Sequence, residues 1–151
     1  MAARDRSGHT QASRAHQPKS DHGRLQQRWG VAVNPRSQRA GAAFRIASAG
    51  DFQRVFAHRV RSDLGWIVIH AAPNSLPRIR LGLSIGVRVG KAVRRVRVKR
   101  MIREAFRLQR SGLPVGLDIV VGARSHGDRP LADYKEAIAI EVPKLATKLG
   151  L

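Results

Sequence analysis

Two closely spaced stretches in the middle of the chain have hydrophobic patterns that predict strands. Residues 66–71 are apolar and rich in β-branched side chains, which favours a strand. Over residues 79–85, apolar side chains alternate with Arg80, Gly82 and Ser84. This second strand therefore has one apolar face and one face of small or polar groups. The second face either leaves room for a ligand or is a plain solvent-facing surface.

A helix is predicted shortly before these strands. Ser48 and Asp51 have the spacing of a capping box, which marks a helix start. Phe52 and Phe56 follow at positions i and i+4, so their rings share one face of this helix. On spacing alone, both rings are expected to belong to the core.

Three more elements follow in the second half of the chain. Residues 117–123 have the apolar run of a buried strand. Residues 131–149 have the spacing of an amphipathic helix, which Pro143 kinks or divides. The helix predicted over residues 91–107 has an apolar stripe that consists of Val98, Met101, Ile102, Ala105 and Leu108.

The element order is helix, strand, strand, helix, strand, helix. It predicts an α+β fold, a small two-layer α/β sandwich over one sheet, in which the strand–helix–strand crossover would by the general rule be right-handed. Residues 1–43 show no sustained apolar period and are rich in polar and basic side chains. We expect them to form a disordered basic extension, and residues 44–151 to form the folded domain.

The net charge is the feature of the composition that says most about function. The 151 residues include 29 Lys and Arg against 10 Asp and Glu, for a net charge of +19. So large a charge opposes folding unless a polyanion neutralises it, so a nucleic-acid partner is expected. The chain has no cysteine, which excludes a disulfide scaffold and a thiolate metal site. No apolar run is long enough to span a membrane, so we expect no membrane contact and a cytoplasmic location.

The densest charge lies in residues 91–110, with nine basic residues and one acidic residue. A solvated helix face normally mixes both signs to form pairs, whereas this one presents like charges that phosphates would neutralise. The candidate RNA-binding residues are Lys91, Arg94, Arg95, Arg97, Lys99, Arg100, Arg103 and Arg107.

The sequence offers no catalytic constellation. Gly86 to Lys91 is one residue too short for a phosphate-binding loop, and Ala92 replaces the required Ser or Thr. His58 and His70 are isolated, and no histidine or acidic cluster has metal-ligand spacing. We therefore predict no catalytic residue and no metal ligand.

Several motifs together resemble a known family. DFQRVF at 51–56 is similar to its first helix, and RLGLS at 80–84 with VGKAV at 89–93 is similar to its central strand and loop. The basic run at 95–107 resembles its signature helix, and DIVVGAR at 118–124 its last strand. The family is the protein subunit of bacterial ribonuclease P.

The resemblance extends from about residue 44 to residue 149 and implies specific properties. It implies a fold like the second domain of ribosomal protein S5, with a left-handed crossover around the basic helix. It implies that RNA is the catalyst, with Mg²⁺ bound mainly by that RNA, and that the protein is a non-catalytic subunit. The expected partners are the catalytic RNA and precursor tRNA, whose 5′ leader is removed; no protein partner is required.

The resemblance also implies a cleft for the leader, formed by the first helix and the sheet. Its expected residues are Phe52, Phe56, Arg80, Ser84 and Arg88, and we expect Phe52 to be the more exposed of the two rings. Two positions differ from the family: Val96 stands where the signature helix has asparagine, and Val87 replaces one of two paired lysines.

Two other functions remain open on composition alone. A ribosomal or RNA-chaperone protein would be equally basic. A DNA-binding regulator could use the basic helix for recognition, but that helix lacks the Asn and Gln side chains that read adenine.

Overall fold

The computed structural model describes residues 41–151. The four strands of this part of the chain are β1 (Val60–Asp63), β2 (Ile67–Pro73), β3 (Arg80–Ser84) and β4 (Leu117–Ala123). The three α-helices are α1 (Ala49–Ala57), α2 (Ala92–Gln109) and α3 (Leu131–Lys148). Short 3-10 turns are formed by Ala42–Phe44, Val87–Val89 and Arg110–Gly112.

The strands form one sheet in the order β1-β2-β4-β3. Strand β2 pairs antiparallel with both β1 and β4, whereas β3 and β4 are parallel neighbours. The parallel pair requires a crossover connection, and α2 lies within it. Arg45 adds one bridge to Leu81 on the outer side of β3, so the segment before α1 also touches the sheet.

Strand alternation divides the buried side chains between the two sheet faces. One face carries Ile69, Leu81 and Ile119 and forms the larger core cluster together with the buried side chains of α2 and α3. The other face carries Val120 and Ala72, which pack with the buried side chains of α1 in a smaller cluster. The predicted sandwich is therefore present, and the short helix α1 lies on the opposite face from the two long helices.

Strand β1 is absent from the sequence-based prediction. Its four residues, VRSD, include one apolar side chain, so no alternation is visible. It forms because a tight turn returns the chain: the Leu64 amide donates to the Ile67 carbonyl at 3.0 Å, and Gly65 has φ +83°. A positive φ at this position favours glycine.

Two details of the predicted helices are corrected. Leu108 is exposed and does not belong to the apolar stripe of α2, which buries Phe106 instead. The buried face of α2 is therefore centred on the side of Phe106 and not on that of Leu108. Pro143 lies within α3 without dividing it, because the helix continues from Leu131 to Lys148.

The predicted extension lies outside the described residues except for its last three. It therefore stays a prediction. Within residues 41–151, no helix is both long enough and apolar enough to cross a membrane.

Candidate RNA-binding surfaces

Helix α1 begins where the capping box predicts. The Ser48 hydroxyl accepts a hydrogen bond from the Asp51 amide at 3.0 Å, which satisfies one of the free amides of the first turn. The helix then places Phe52 and Phe56 towards the sheet, where Phe52 belongs to the smaller core cluster and Phe56 packs at its edge.

The expected order of exposure of the two rings is wrong. Phe52 is 5% exposed, whereas Phe56 is only half-buried. The cause is Gly82 on β3, which has no side chain and lets the Phe52 ring lie directly against the strand. Phe52 is thus a core residue, and Phe56 is the ring that borders open surface.

Helix α1 covers only part of its sheet face and leaves a pocket of about 230 Å³ beside it. The ring of Phe56 forms one wall, and Ser84 lies on the floor, so the structure brings these two predicted cleft residues together. The remaining lining residues are Arg61, Val68, His70, Gly122, Ala123 and Arg124. The pocket combines an aromatic edge, a floor of small residues and cationic side chains.

His70 is the most distinctive polar group in this pocket. Its ring meets that of Phe56 edge to face, with ring centroids 4.8 Å apart. Its Nδ1 atom is buried and makes no hydrogen bond within residues 41–151. Burial lowers the pKa of His70, and the charge of Arg61 lowers it further. The ring therefore favours the neutral form.

Arg80 lies on the cleft side of β3, as predicted, but its guanidinium group is bound within the protein. Its Nε and Nη2 atoms donate to the two carboxylate oxygens of Asp118 at 2.8 and 2.6 Å. Only 18% of the Arg80 side chain is exposed. The predicted leader contact by Arg80 is therefore not supported by its geometry, since its charge is already neutralised.

Arg88 lies outside the pocket-lining set. It is exposed in the 3-10 turn that connects β3 with α2. This turn ends at Gly90, whose φ of +134° allows the chain to change direction into the basic helix. Arg88 thus lies between the cleft and the basic helix rather than within the cleft.

The basic helix α2 presents most of its charge to solvent. It buries Val98, Ile102, Ala105 and Phe106 against the larger core, which is the sheet face opposite the cleft. The predicted RNA-binding side chains that are exposed are Lys91, Arg97, Arg100, Arg103 and Arg107, whereas Arg94, Arg95 and Lys99 are half-buried.

The first turns of α2 concentrate positive charge without compensation. No acidic residue stands in the first turn, although a helix N-terminus favours negative charge. Arg94 has two buried guanidinium nitrogens, and Arg95 one, that make no hydrogen bond within residues 41–151. Burial lowers the pKa of Lys99, and the charges of Arg103 and Arg95 add to this effect. An anionic partner would relieve each of these costs.

At two other positions on α2, Arg97 and Arg107, the charge is partly neutralised. Arg107 donates two hydrogen bonds to Glu104, at 3.0 and 2.6 Å. Arg97 lies 3.5 Å from Asp128, and both of these side chains are more than half exposed. Such exposed pairs are weak and are easily replaced by contacts with phosphate.

Exposed apolar side chains accompany the basic ones. Val87, Val93 and Val96 are the three most exposed large apolar residues of the described chain, at 74, 82 and 65%. Val96 therefore lies on the outer side of α2 among the arginines, as the helical spacing indicated. Nothing in the structure explains why valine stands at this position.

Sequence reasoning missed six residues of the pocket wall for two physical reasons. Arg61 belongs to β1, which the pattern did not reveal. The others face the cleft only because of register: Val68 and Ser84 both pair with Gly122 across neighbouring strands. Alternation along the first predicted strand places Val68 and His70 on the same face, but it does not show that this face carries α1.

Comparisons with known proteins identify the family of the chain. The family model for ribonuclease P matches residues 41–148. The ribonuclease P protein component of Methylococcus capsulatus is 44% identical over 82 residues, which are 54% of this chain and 63% of that relative. The protein component of Caldanaerobacter subterraneus is 38% identical over 107 residues, which are 71% of this chain and 90% of that relative.

Solved structures show the same fold. A mutant of the RNase P protein of Staphylococcus aureus superposes with a TM-score of 0.62 and 30% identity, over 71% of this chain and 91% of that one. The RNase P protein of Thermotoga maritima gives a TM-score of 0.59 and 27% identity, over 66% of this chain and 96% of that one. The predicted α+β fold is confirmed, and the ribosomal or RNA-chaperone alternative is not favoured. The chain therefore belongs to the ribonuclease P protein family, whose members are protein components of the ribonucleoprotein endoribonuclease that matures the 5′ ends of tRNA.

Proposed function

We propose that this chain binds the catalytic RNA through α2 and holds the 5′ leader of precursor tRNA in the cleft beside α1. The observation that carries the proposal is the placement of two different surfaces on opposite faces of one sheet. One is a helix with uncompensated positive charge, and the other is a pocket with a ring, small residues and cations. The protein would thereby connect the RNA catalyst with its substrate.

The chemistry of each surface fits its proposed ligand. A folded RNA presents phosphates along its backbone, and the outer side of α2 supplies arginines to neutralise them. A leader is single-stranded and variable in sequence, so a site that stacks on bases suits it better than one that reads base edges. Phe56 supplies such a ring, while Arg61 and Arg124 at the pocket wall supply positive charge.

We assign the Mg²⁺ of the reaction to the RNA. Residues 41–151 contain no group of three or more His, Asp or Glu side chains that could hold a metal ion. The protein contributes binding and orientation, and the isolated protein is expected to leave precursor tRNA uncut.

Site-specific crosslinking tests the two assignments. The natural chain has no cysteine, so a single introduced cysteine can carry a photoactivatable probe at one known position. In the reconstituted holoenzyme, a probe at Arg61→Cys should crosslink to the leader of precursor tRNA. A probe at Val96→Cys should crosslink to the catalytic RNA.

Ala139→Cys, on the exposed side of α3, is the matched control and should crosslink to neither RNA. Leader crosslinks from Arg61→Cys no stronger than those from Ala139→Cys would contradict the cleft assignment. Catalytic-RNA crosslinks from Val96→Cys no stronger than those of the control would contradict the assignment of α2.

A further inference from the structure

A fully buried carboxylate organises one end of the sheet face that carries α1. The Asp118 side chain on β4 has no exposed surface. It accepts two hydrogen bonds from Arg80, one from the Asn74 amide at 2.7 Å, and one from Arg54. Its donors come from β3, from the turn after β2 and from α1, so one carboxylate joins three parts of the fold.

Arg54 is the link between this network and helix α1. Besides Asp118, its guanidinium group donates to the carbonyl oxygen of Pro73 at the end of β2. Asp51, one turn earlier on α1, lies 3.3 Å from Arg80 and 3.7 Å from Arg54. The helix is therefore attached to the sheet through two side chains on one side, in addition to its apolar contacts.

The electrostatics show why the carboxylate is needed. Burial acts to raise the pKa of Asp118, but the hydrogen bonds from Arg80 and Asn74 and the charges of Arg80 and Arg54 outweigh it, so the pKa is lowered. The carboxylate is thus ionised and offsets two guanidinium groups. Removing the charge of Asp118 would leave the guanidinium groups of Arg80 and Arg54 in a partly buried site with less negative charge to neutralise them.

Helix α1 is short, so its position depends on its contacts with the sheet. It has nine residues, which is too short for a helix to be stable without tertiary contacts. Its two buried side chains are Phe52 and Val55. Phe56 follows Arg54 by two residues, so the orientation of the ring at the pocket depends on how Arg54 is anchored.

We propose that Asp118 is a positioning residue of the leader cleft: through Arg54 it fixes α1 on the sheet and thereby places the Phe56 ring beside the pocket. This inference rests on the proposed function of the cleft. It also assigns a different role to Arg80, which supports the carboxylate instead of contacting the leader. In this role, Asp118, Arg54 and Arg80 do not need to touch RNA.

The test compares precursor and mature tRNA as ligands of the reconstituted holoenzyme. Asp118→Asn keeps the shape of the side chain and removes its charge. We expect it to weaken precursor binding about tenfold, the size of one lost base stack, while affinity for mature tRNA and for the catalytic RNA stays the same. Glu141→Gln is the matched control, because Glu141 is also a buried carboxylate but lies on α3, paired with Lys144 and Ser62. It should leave the preference for precursor unchanged.

Arg54→Gln keeps the proposal testable if Asp118→Asn does not fold. It breaks the link to α1 but leaves the bonds from Arg80 and Asn74 to Asp118 in place. The same selective loss of precursor affinity is expected. A folded Arg54→Gln holoenzyme with full preference for precursor would overturn the proposal, as would equal losses for precursor and mature tRNA.

A distance measurement tests the positioning role of Asp118 independently of whether the leader binds in the cleft. Spin labels at Ala57→Cys and Leu64→Cys, both exposed, report the position of α1 relative to the sheet in the holoenzyme. Arg54→Gln should broaden the distance distribution, and an unchanged distribution would overturn the positioning role. If instead Phe56→Ala leaves the preference for precursor intact, the leader site itself is wrongly placed.

Discussion

The ring of Phe52 occupies the space that a side chain on Gly82 would need. A Cβ atom at Gly82 would lie 2.8 Å from Cζ of Phe52 and 3.2 Å from a methyl carbon of Val120. Real Cβ atoms essentially never make a contact as short as the first, so glycine at position 82 and a buried ring at position 52 require each other. The packing of α1 against the sheet depends on this pair.

Gly82→Ala is therefore expected to destabilise the protein by about 1–3 kcal/mol, because an added methyl group must displace a packed ring. Chemical denaturation of the variant and the natural protein measures the difference. Gly50→Ala is the control, since a Cβ there meets nothing within 4 Å and alanine is the better helix former. A Gly82→Ala variant as stable as the Gly50→Ala variant would contradict the packing described for Phe52.

Phe52 and Phe56 should respond differently to truncation. Phe52→Ala removes a buried ring and is expected to cost about 3–5 kcal/mol of stability. Phe56→Ala should cost less, because its ring is half exposed, but should weaken precursor binding by about 1–3 kcal/mol through the loss of a stacking surface. Affinity for mature tRNA should stay the same. Denaturation and binding measurements on both variants check this, and a reversed pattern would place Phe52 at the cleft.

Phe52 and Phe56 show which features of the site can be predicted from the sequence. Their helix and its capping box follow from local spacing, because a cap and a 3.6-residue period are properties of neighbouring residues. Which ring is buried depends on Gly82, which is thirty residues farther along the chain. Sequence spacing contains no information about that contact, so the predicted order of exposure is wrong.

The same distinction applies to the two surfaces. The charge of α2 is contained in one segment of the sequence, and its exposed arginines were predicted individually. The cleft is assembled from one helix and four strands, and its floor depends on the pairing of Val68 and Ser84 with Gly122. Arg80 shows a further limit: alternation places it on the correct face, but only the structure shows that Asp118 occupies its guanidinium group.

Stability should fall in mildly acidic solution because of His70. Burial lowers its pKa below the ordinary value of 6.5, and the charge of Arg61 adds to this, while that of Asp63 opposes it. Below about pH 6.5 the unfolded chain therefore binds a proton that the folded protein takes up only at lower pH. The stability associated with a neutral His70 is complete above this pH and is lost as the pH falls.

Thermal denaturation between about pH 7.5 and pH 5.5 tests this effect. The natural protein should lose more stability over this range than His70→Gln, which has no proton to gain. The other five histidines are present in both proteins, so their contributions cancel in the comparison. Identical pH profiles for the two proteins would show that His70 does not titrate in the folded state as described.

The last prediction concerns the salt dependence of binding to the catalytic RNA. Each phosphate that α2 neutralises releases counterions. The slope of log affinity against log salt concentration is therefore negative, and its magnitude decreases by roughly 0.7–0.9 for each contact removed. Arg100→Gln removes an exposed charge on the outer side of α2 and should lower the magnitude of the slope by about this amount. Arg107→Gln should lower this magnitude less, because Glu104 already neutralises part of the charge of Arg107.

Val96→Ala is the neighbouring control: it removes apolar surface and no charge, so any loss of affinity should be independent of salt. Titrations of each variant at several salt concentrations measure the slopes. If Arg100→Gln and Val96→Ala have the same slope as the natural protein, this side of α2 does not face the phosphate backbone.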